Sequence, residues 1–129
     1  MGGSPSPPSR RNVVGRYGED LACRHLSGLG YAIVARNWRC PAGEVDIIAV
    51  DGNCLVVCEV KTRTSAAFGT PQEAVTWRKA RRLRQLSSLW LAERTSSETE
   101  RFDEVRVDVV AVSLPKRGAA VLDHLRGVC

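Results

Sequence analysis

The sequence contains no long hydrophobic run, no paired-cysteine motif and no hydrolase nucleophile motif, and each absence excludes a class of protein. No stretch approaches the roughly 18 consecutive apolar residues that a membrane-spanning helix requires, so we predict no membrane association. The cysteines have neither CxxC spacing nor nearby histidines, which argues against a zinc site. Because Gly-x-Ser-x-Gly, a Cys-His pair and a glycine-rich phosphate loop are also missing, a small-molecule hydrolase is disfavoured.

Composition indicates one small basic domain. Of the 129 residues, 43% are hydrophobic, which is enough for a core, and the formal net charge is +5. The opening residues are rich in Gly, Ser and Pro and lack the apolar segment of a signal peptide, so we predict a disordered tail over residues 1–11 and one domain over residues 12–129. With no export signal and an odd number of cysteines, we expect free thiols and a cytoplasmic protein.

Residues 43–62 predict a β-hairpin that carries charges on otherwise apolar strands. Two β-branched, apolar runs, 45–50 and 54–60, are separated by Asp-Gly-Asn, which is a strong hairpin signal. Because side chains alternate between the two faces of a strand, the charges fall on one face of each strand. These charged residues are Glu44, Asp46, Glu59 and Lys61.

The position of the turn decides whether the two charged faces coincide. A two-residue turn at Asp51-Gly52 pairs Glu44 with Glu59, and a turn at Gly52-Asn53 pairs Asp46 with Glu59 instead. Either register clusters the four charges, whereas a three-residue loop without a bulge separates them, and we expect the cluster. Opposed carboxylates repel unless a cation lies between them, so the cluster predicts a site for a divalent cation such as Mg²⁺.

The spacing of Asp46, twelve residues, then Glu59-Val60-Lys61 resembles the core of the PD-(D/E)XK nuclease superfamily. The Gly-Glu-Val-Asp and Glu-Val-Lys segments are similar to those of the YraN-type family of small uncharacterised bacterial proteins. The resemblance implies a restriction-endonuclease-like αβββαβ core, a single α/β domain with a central mixed β-sheet flanked by helices, akin to archaeal Holliday-junction resolvases. The proline that names the superfamily is absent, because Val45 precedes Asp46.

The same resemblance implies roles for individual residues. The implied ligands of Mg²⁺ or Mn²⁺ are Asp46, Glu59, the carbonyl of Val60 and Glu19. Lys61 becomes the catalytic lysine, which holds the attacking water or offsets negative charge. Glu44, with Glu19, would hold a second ion or outer-shell waters; an exposed helix glutamate is the alternative for Glu19. A homodimer is expected by the same analogy.

Five further segments show helix or strand signals. They are a helix over residues 12–29, a strand over 31–37 followed by a loop over 38–42, a helix with Thr70 as N-cap that continues to about Arg94, a strand over 105–114 and an edge strand over 119–125. In the second helix we expect Ala80, Leu83, Leu86 and Trp90 to be buried, and Trp77 to pack rather than to stack on a base. We also expect Asp108 to accept a hydrogen bond from an arginine or a backbone N–H, and His25 and His124 to be incidental.

A run of basic residues in the second helix predicts contact with nucleic acid. Like charges crowd two helical turns, and an anionic partner would relieve their repulsion. The expected phosphate-binding residues are Arg63, Arg78, Lys79 and Arg82; a solvated helix face is the alternative. The sequence as a whole therefore predicts a metal-dependent nuclease acting on nucleic acid, more readily DNA than RNA. The competing hypothesis is an inactive nucleic-acid-binding or assembly protein in which Glu59 and Lys61 form an ion pair.

Overall fold

A five-stranded mixed β-sheet forms the centre of the protein and carries one helix on each face. The computed structural model describes residues 10–64, 76–94 and 102–128, of which residues 10–12 are described by their backbone alone. Its elements, in chain order, are α1 (Arg10–Gly28), β1 (Ala32–Cys40), β2 (Gly43–Asp51), β3 (Cys54–Arg63), α2 (Trp77–Glu93), β4 (Glu104–Ser113) and β5 (Val121–Leu125). No helix in these ranges is long and apolar enough to cross a membrane.

The strands are hydrogen-bonded in the order in which they occur in the chain. β1, β2 and β3 form an antiparallel meander, β4 lies parallel to β3, and β5 returns antiparallel to β4. A parallel neighbour requires a crossover connection, and α2 lies within the connection from β3 to β4. The predicted fold class is confirmed: the αβββαβ order is present and is extended by the edge strand β5.

Alternation of side chains along the central strands gives the sheet an apolar layer on each face. Leu55 and Val57 of β3 lie in the layer beneath α2, together with the helix residues predicted to be buried, Ala80, Leu83, Leu86 and Trp90. The opposite layer, beneath α1, contains Ala22, Leu26, Cys54, Val56 and Cys58. Burial raises the pKa of the Cys58 thiol well above its usual value, so this cysteine is a small apolar core residue. The four cysteines in the described residues are free, as predicted.

Helix α1 approaches β3 closely through a glycine. A Cβ atom added at Gly18 would lie 1.9 Å from the Thr62 hydroxyl oxygen and 3.0 Å from the Thr62 Cβ. Tyr17 and Leu29, apolar residues that recur at helical spacing with Leu21 and Leu26, are exposed, whereas Gly18 is buried. The absent side chain at Gly18 therefore sets the distance between α1 and the strand that carries Glu59.

Gly18→Ala is expected to lower the free energy of unfolding by about 1–3 kcal/mol, because the new methyl group overpacks the contact with Thr62. Gly15→Ala is the matched control on the same helix, since a Cβ there meets nothing within 4 Å. Replacing a helical glycine with alanine at an open position stabilises by about 0.5–1 kcal/mol. Urea unfolding of both variants measures the difference, and equal stabilities would show that α1 does not depend on this close contact.

The first half of the fold differs from its predicted boundaries in two places. β1 continues to Cys40 because residues 38–40 pair with β2, so the loop predicted over residues 38–42 is wrong for its first three positions. Helix α1 begins at Arg10, two residues before the predicted start. Residues 1–9 of the predicted tail lie outside the described residues.

The start of the second helix is also corrected. Helix α2 begins at Trp77, and its N-cap is Thr76, whose hydroxyl accepts a hydrogen bond from the Lys79 N–H at 3.2 Å. Thr76 has an extended backbone, so a continuous helix from the region of Thr70 to Arg94 is wrong. The predicted N-cap Thr70 itself lies outside the described residues.

Asp108 has the structural role that its position in a core strand predicts. It is fully buried, and its carboxylate accepts hydrogen bonds from the Arg106 Nε at 2.8 Å and from the Gly127 N–H at 3.0 Å. His124 Nε2 lies 2.7 Å from the other carboxylate oxygen. Burial alone would raise the pKa of Asp108, but these hydrogen bonds outweigh it and lower the pKa to about 2.

The two histidines are not isolated from each other. His25 Nε2 lies 3.1 Å from His124 Nδ1, and the rings meet edge to face. Because the ionised Asp108 carboxylate only accepts hydrogen bonds, His124 donates to it from Nε2. Burial, and then the neighbouring His124, lower the pKa of His25. His124 is therefore a satisfied core histidine that links α1 to β4 and β5.

Candidate functional site

The hairpin of β2 and β3 adopts the second of the two predicted registers. Asp51 pairs with Cys54, so Gly52-Asn53 is the turn. The strand pairing ends at Ile47 and Cys58, and the next residues in the same register are Asp46 and Glu59. The two carboxylates of the predicted motif therefore stand side by side where β2 and β3 separate.

The side-chain alternation of β2 breaks at Asp46. Val45 and Ile48 both pack in the layer beneath α2, whereas Ile47 packs beneath α1. The Asp46 carboxylate accepts the Val60 N–H at 2.8 Å, in place of a backbone carbonyl. Asp46 consequently points into the gap between the strands, so the strict alternation predicted for β2 does not hold at this residue.

Asn37 is a site residue that the sequence reasoning missed. It lies opposite Asp46 in the register of β1 and β2, and its φ of 51° is in the left-handed region that asparagine tolerates better than most residues. Its side-chain amide donates to Glu19 Oε2 at 3.1 Å. Asn37 thereby holds the α1 glutamate on the side of the sheet where Asp46 opens to solvent.

Two cavities meet at Asp46. The helix-1 cavity, of about 650 Å³, is lined by Val14, Gly15, Glu19, Asp46, Val60, Thr62 and Thr64. The basic cavity, of about 440 Å³, is lined by Gly43, Glu44, Asp46, Glu59, Thr76, Arg78, Lys79 and Arg82. The structure thus brings Glu19, Glu44 and Glu59 around Asp46, with three of the four predicted phosphate-binding residues on one side.

Crowding of these carboxylates perturbs Asp46. Burial, and then the negative charge of Glu59, raise the pKa of Asp46 to about 7, with smaller contributions from Glu19 and Glu44. The hydrogen bond from the Val60 N–H acts in the opposite direction but does not compensate. A carboxyl group that titrates near neutrality at the junction of two cavities is typical of a functional site.

Glu59 is buried and holds two lysines on one oxygen. The Lys79 ammonium lies 2.6 Å from Glu59 Oε1, and the Lys61 ammonium lies 3.5 Å from the same atom. The Glu59 side chain is 10% exposed, against 39% for Lys79 and 40% for Lys61. Burial lowers the pKa of Lys79, but the hydrogen bond and charge of Glu59 outweigh burial and raise it.

The predicted phosphate-binding residues divide into two groups. Arg78, Lys79 and Arg82 line the basic cavity at the start of α2. Arg63 lies on the same face of β3 as Glu59, near the strand end, and neither cavity includes it among the described residues. Trp77 was expected to pack, but 62% of it is exposed, with the Arg78 guanidinium 5.7 Å from its ring centroid.

Glu44 stands at the rim of the basic cavity. Its side chain is 61% exposed and pairs with Arg39 of the neighbouring strand at 3.2 Å. Exposed pairs of this kind contribute about 0–1 kcal/mol, so this pair does little to fix either side chain. Glu44 therefore acts on the site through its charge and its place on the rim.

The donor set at Asp46 fits a hard divalent cation. Within the described ranges, no three Asp, Glu, His or Cys side chains form a ready metal-binding group. The site offers the Asp46 and Glu59 carboxylates and the Val60 carbonyl, which lies on the Asp46 side because the N–H and C=O of a strand residue face the same neighbour. Mg²⁺ commonly takes one or two carboxylates and completes its shell with water and substrate phosphate.

The sheet topology and the acidic hairpin define a small α/β protein with a restriction-endonuclease-like core. The chain belongs to the uncharacterised protein family UPF0102, whose model matches residues 18–112, and this is the YraN-type family that the sequence resembles. It is 49% identical over 118 residues to a UPF0102 protein of Nocardioides sp., covering 92% of each chain. It is also 52% identical over 118 residues to a Streptomyces griseus relative, covering 92% of this chain and 97% of the relative.

Proposed function

We propose that the protein is a metal-dependent nuclease that hydrolyses phosphodiester bonds in nucleic acid. The observation that carries the proposal is the pairing of Asp46 and Glu59 where β2 and β3 separate, beside a lysine and beneath a basic rim. The physical signature is a buried carboxyl beside a second carboxylate: burial, and then repulsion by Glu59, raise the pKa of Asp46 to about 7. A divalent cation would offset that repulsion.

Each residue has a role in this proposal. Asp46, Glu59 and the Val60 carbonyl would hold Mg²⁺ or Mn²⁺, which polarises a phosphate oxygen and supplies positive charge when bound. Lys61, on the Glu59 face, places an ammonium where negative charge develops during phosphoryl transfer. Glu19, held by Asn37, faces the helix-1 cavity and would orient water on that side of Asp46.

The basic rim supports nucleic acid as the substrate. Arg78 and Arg82 are exposed at the basic cavity, and guanidinium contacts to phosphates give affinity that is independent of sequence and falls with salt. We further propose that the substrate is DNA, including branched DNA, and that the protein acts on it as a homodimer. We also propose that the protein functions in the cytoplasm, where its free cysteines stay reduced.

A second candidate function rests on the ion pairs that Glu59 forms with two lysines. Because Glu59 already carries two lysines, the acidic hairpin is neutralised by the chain itself, as in a nucleic-acid-binding or assembly protein that keeps the fold without catalysis. Metal binding distinguishes the two candidates. A chelating site gains stability of RT ln(1 + [Mn²⁺]/Kd), which Glu59→Gln would remove, whereas an internal ion pair gains none.

The test of the nuclease proposal is Mn²⁺-dependent cleavage of labelled linear, flapped and four-way-junction DNA and of RNA. Lys61→Ala is expected to slow cleavage at least about 100-fold, because it removes the ammonium that offsets transition-state charge. Lys116→Ala, at an exposed lysine outside both cavities, is the matched control and is expected to cleave like the parent. The proposal fails if the parent cuts no substrate in the panel or if the two variants cut equally fast.

A further inference from the structure

The pairing of Lys79 with Glu59 occupies the site that the nuclease proposal assigns to a metal ion. Glu59 Oε1 accepts from the Lys79 ammonium at 2.6 Å, and this oxygen belongs to one of the two carboxylates of the motif. A Mg²⁺ ion that binds this oxygen would lie about 2.0–2.1 Å from it. Because an ammonium and a divalent cation on one oxygen repel each other strongly, the two cannot share it in this arrangement.

The two partners differ in their freedom to move. Glu59 lies on a central strand and is buried, whereas Lys79 is in the first turn of α2, where its backbone N–H is fixed by Thr76 and its flexible stem is half-exposed. If the pair separates, the lysine must therefore leave. Its neighbours on the rim, Arg78 and Arg82, are where a nucleic-acid phosphate would arrive.

We propose that Lys79 is a resident counter-cation, which holds the Glu59 carboxylate until a nucleic-acid phosphate draws it away, so that metal ion and nucleic acid bind cooperatively. This inference rests on the proposed nuclease function and adds its regulation. In the free protein, Lys79 offsets the charge of Glu59 and keeps the metal affinity of the site low. When Lys79 turns to a phosphate, Glu59 is released to the metal. Linkage requires the converse as well: bound metal strengthens nucleic-acid binding by the same factor.

The first test measures the Mn²⁺ dissociation constant without nucleic acid, from the electron paramagnetic resonance signal of free Mn²⁺. Lys79→Met keeps an unbranched side chain of nearly the same length and removes its charge, and it is expected to bind Mn²⁺ about tenfold more tightly than the parent. Arg82→Met, which removes a charge from the same cavity but does not contact Glu59, is expected to change the constant about threefold or less. Lys79→Gln repeats the test with a polar side chain.

The second test measures binding of a labelled single-stranded DNA by fluorescence anisotropy, under conditions where gels show the probe uncut. Mn²⁺ is expected to tighten DNA binding about tenfold in the parent but not in Lys79→Met, because the coupling passes through Lys79. Mn²⁺ that binds the DNA itself affects both proteins equally and cancels in the comparison.

The outcomes separate this inference from the nuclease proposal. Tighter Mn²⁺ binding in Lys79→Met, with loss of the coupling, supports the counter-cation. Equal Mn²⁺ affinities in Lys79→Met and Arg82→Met overturn it while the nuclease proposal stands, provided that the parent cleaves nucleic acid. If the parent and all variants bind no Mn²⁺, the counter-cation inference is overturned, and the nuclease proposal falls with it only when the parent also cleaves no nucleic acid.

Discussion

Arg106→Met is expected to lower the free energy of unfolding by about 3–5 kcal/mol, because it leaves the fully buried Asp108 carboxylate without its charged partner. The guanidinium donates to both carboxylate oxygens, at 2.8 and 3.1 Å, and also reaches Tyr31 at 2.7 Å and Asp51 at 3.2 Å. One substitution therefore removes contacts that join β4 to β2 and to Tyr31, which lies between α1 and β1.

Chemical denaturation at pH 7 measures the loss, with Arg126→Met as the control. Arg126 also contacts Asp51, at 3.3 Å, but 56% of its side chain is exposed, so its removal is expected to cost at most about 0.5 kcal/mol. The hydrogen bonds of Asp108 hold its pKa at about 2, below the usual value. Their stabilisation is present above about pH 4 and is lost as the pH falls toward 2. Equal costs for the two variants would contradict this account of Arg106.

Asp46→Asn is expected to do the opposite and stabilise the fold at pH 8, by up to about 4 kcal/mol. Burial and then Glu59 raise the pKa of Asp46 to about 7, so between about pH 4 and pH 7 the folded protein retains a proton that the unfolded chain has released. Stability therefore falls as the pH rises through this range. Asparagine cannot ionise, and the variant escapes that loss while keeping an oxygen for the Val60 N–H.

Unfolding free energies measured at pH 4, 6 and 8 test whether the stability of the parent falls as the pH rises. The difference between Asp46→Asn and the parent is expected to be near zero at pH 4 and to reach its full size by pH 8. Asp123→Asn, at an exposed aspartate on the edge strand β5, controls for the loss of one negative charge. A difference that does not grow with pH, or one as large for Asp123→Asn, would show that Asp46 is not under strain from its neighbours.

The two predictions together contrast two buried or half-buried aspartates of one sheet. Asp108 is satisfied by Arg106, His124 and Gly127, so its charge contributes stability. Asp46 has one backbone donor and lies among other carboxylates, so its charge costs stability. Groups that a fold keeps at such a cost are found mainly at functional sites, which supports our proposal that Asp46, rather than Asp108, belongs to the reactive site.

Several features of the fold and of the site could be predicted from the sequence because they depend on neighbours along the chain. Alternation and the Asp-Gly-Asn turn gave the hairpin, and helical periodicity gave four of the five buried residues of α2. The position of Asp108 within an apolar strand correctly implied a hydrogen-bonded, structural carboxylate. The pairing of Asp46 with Glu59 was one of two registers, and the ladder decided between them.

Only the tertiary structure decided what lies across the sheet from these residues. The contact of Asn37 with Glu19, the close approach of Gly18 to Thr62, and the inward turn of Lys79 onto Glu59 each join segments that are distant in sequence. The periodicity of a sequence predicts which face of an element a side chain lies on, but it does not predict which residue of another element contacts it there. For that reason the amino-acid sequence determined the sheet, the two helices and the acidic hairpin, while the packing of α1 and α2 against β3 determined which charges meet there.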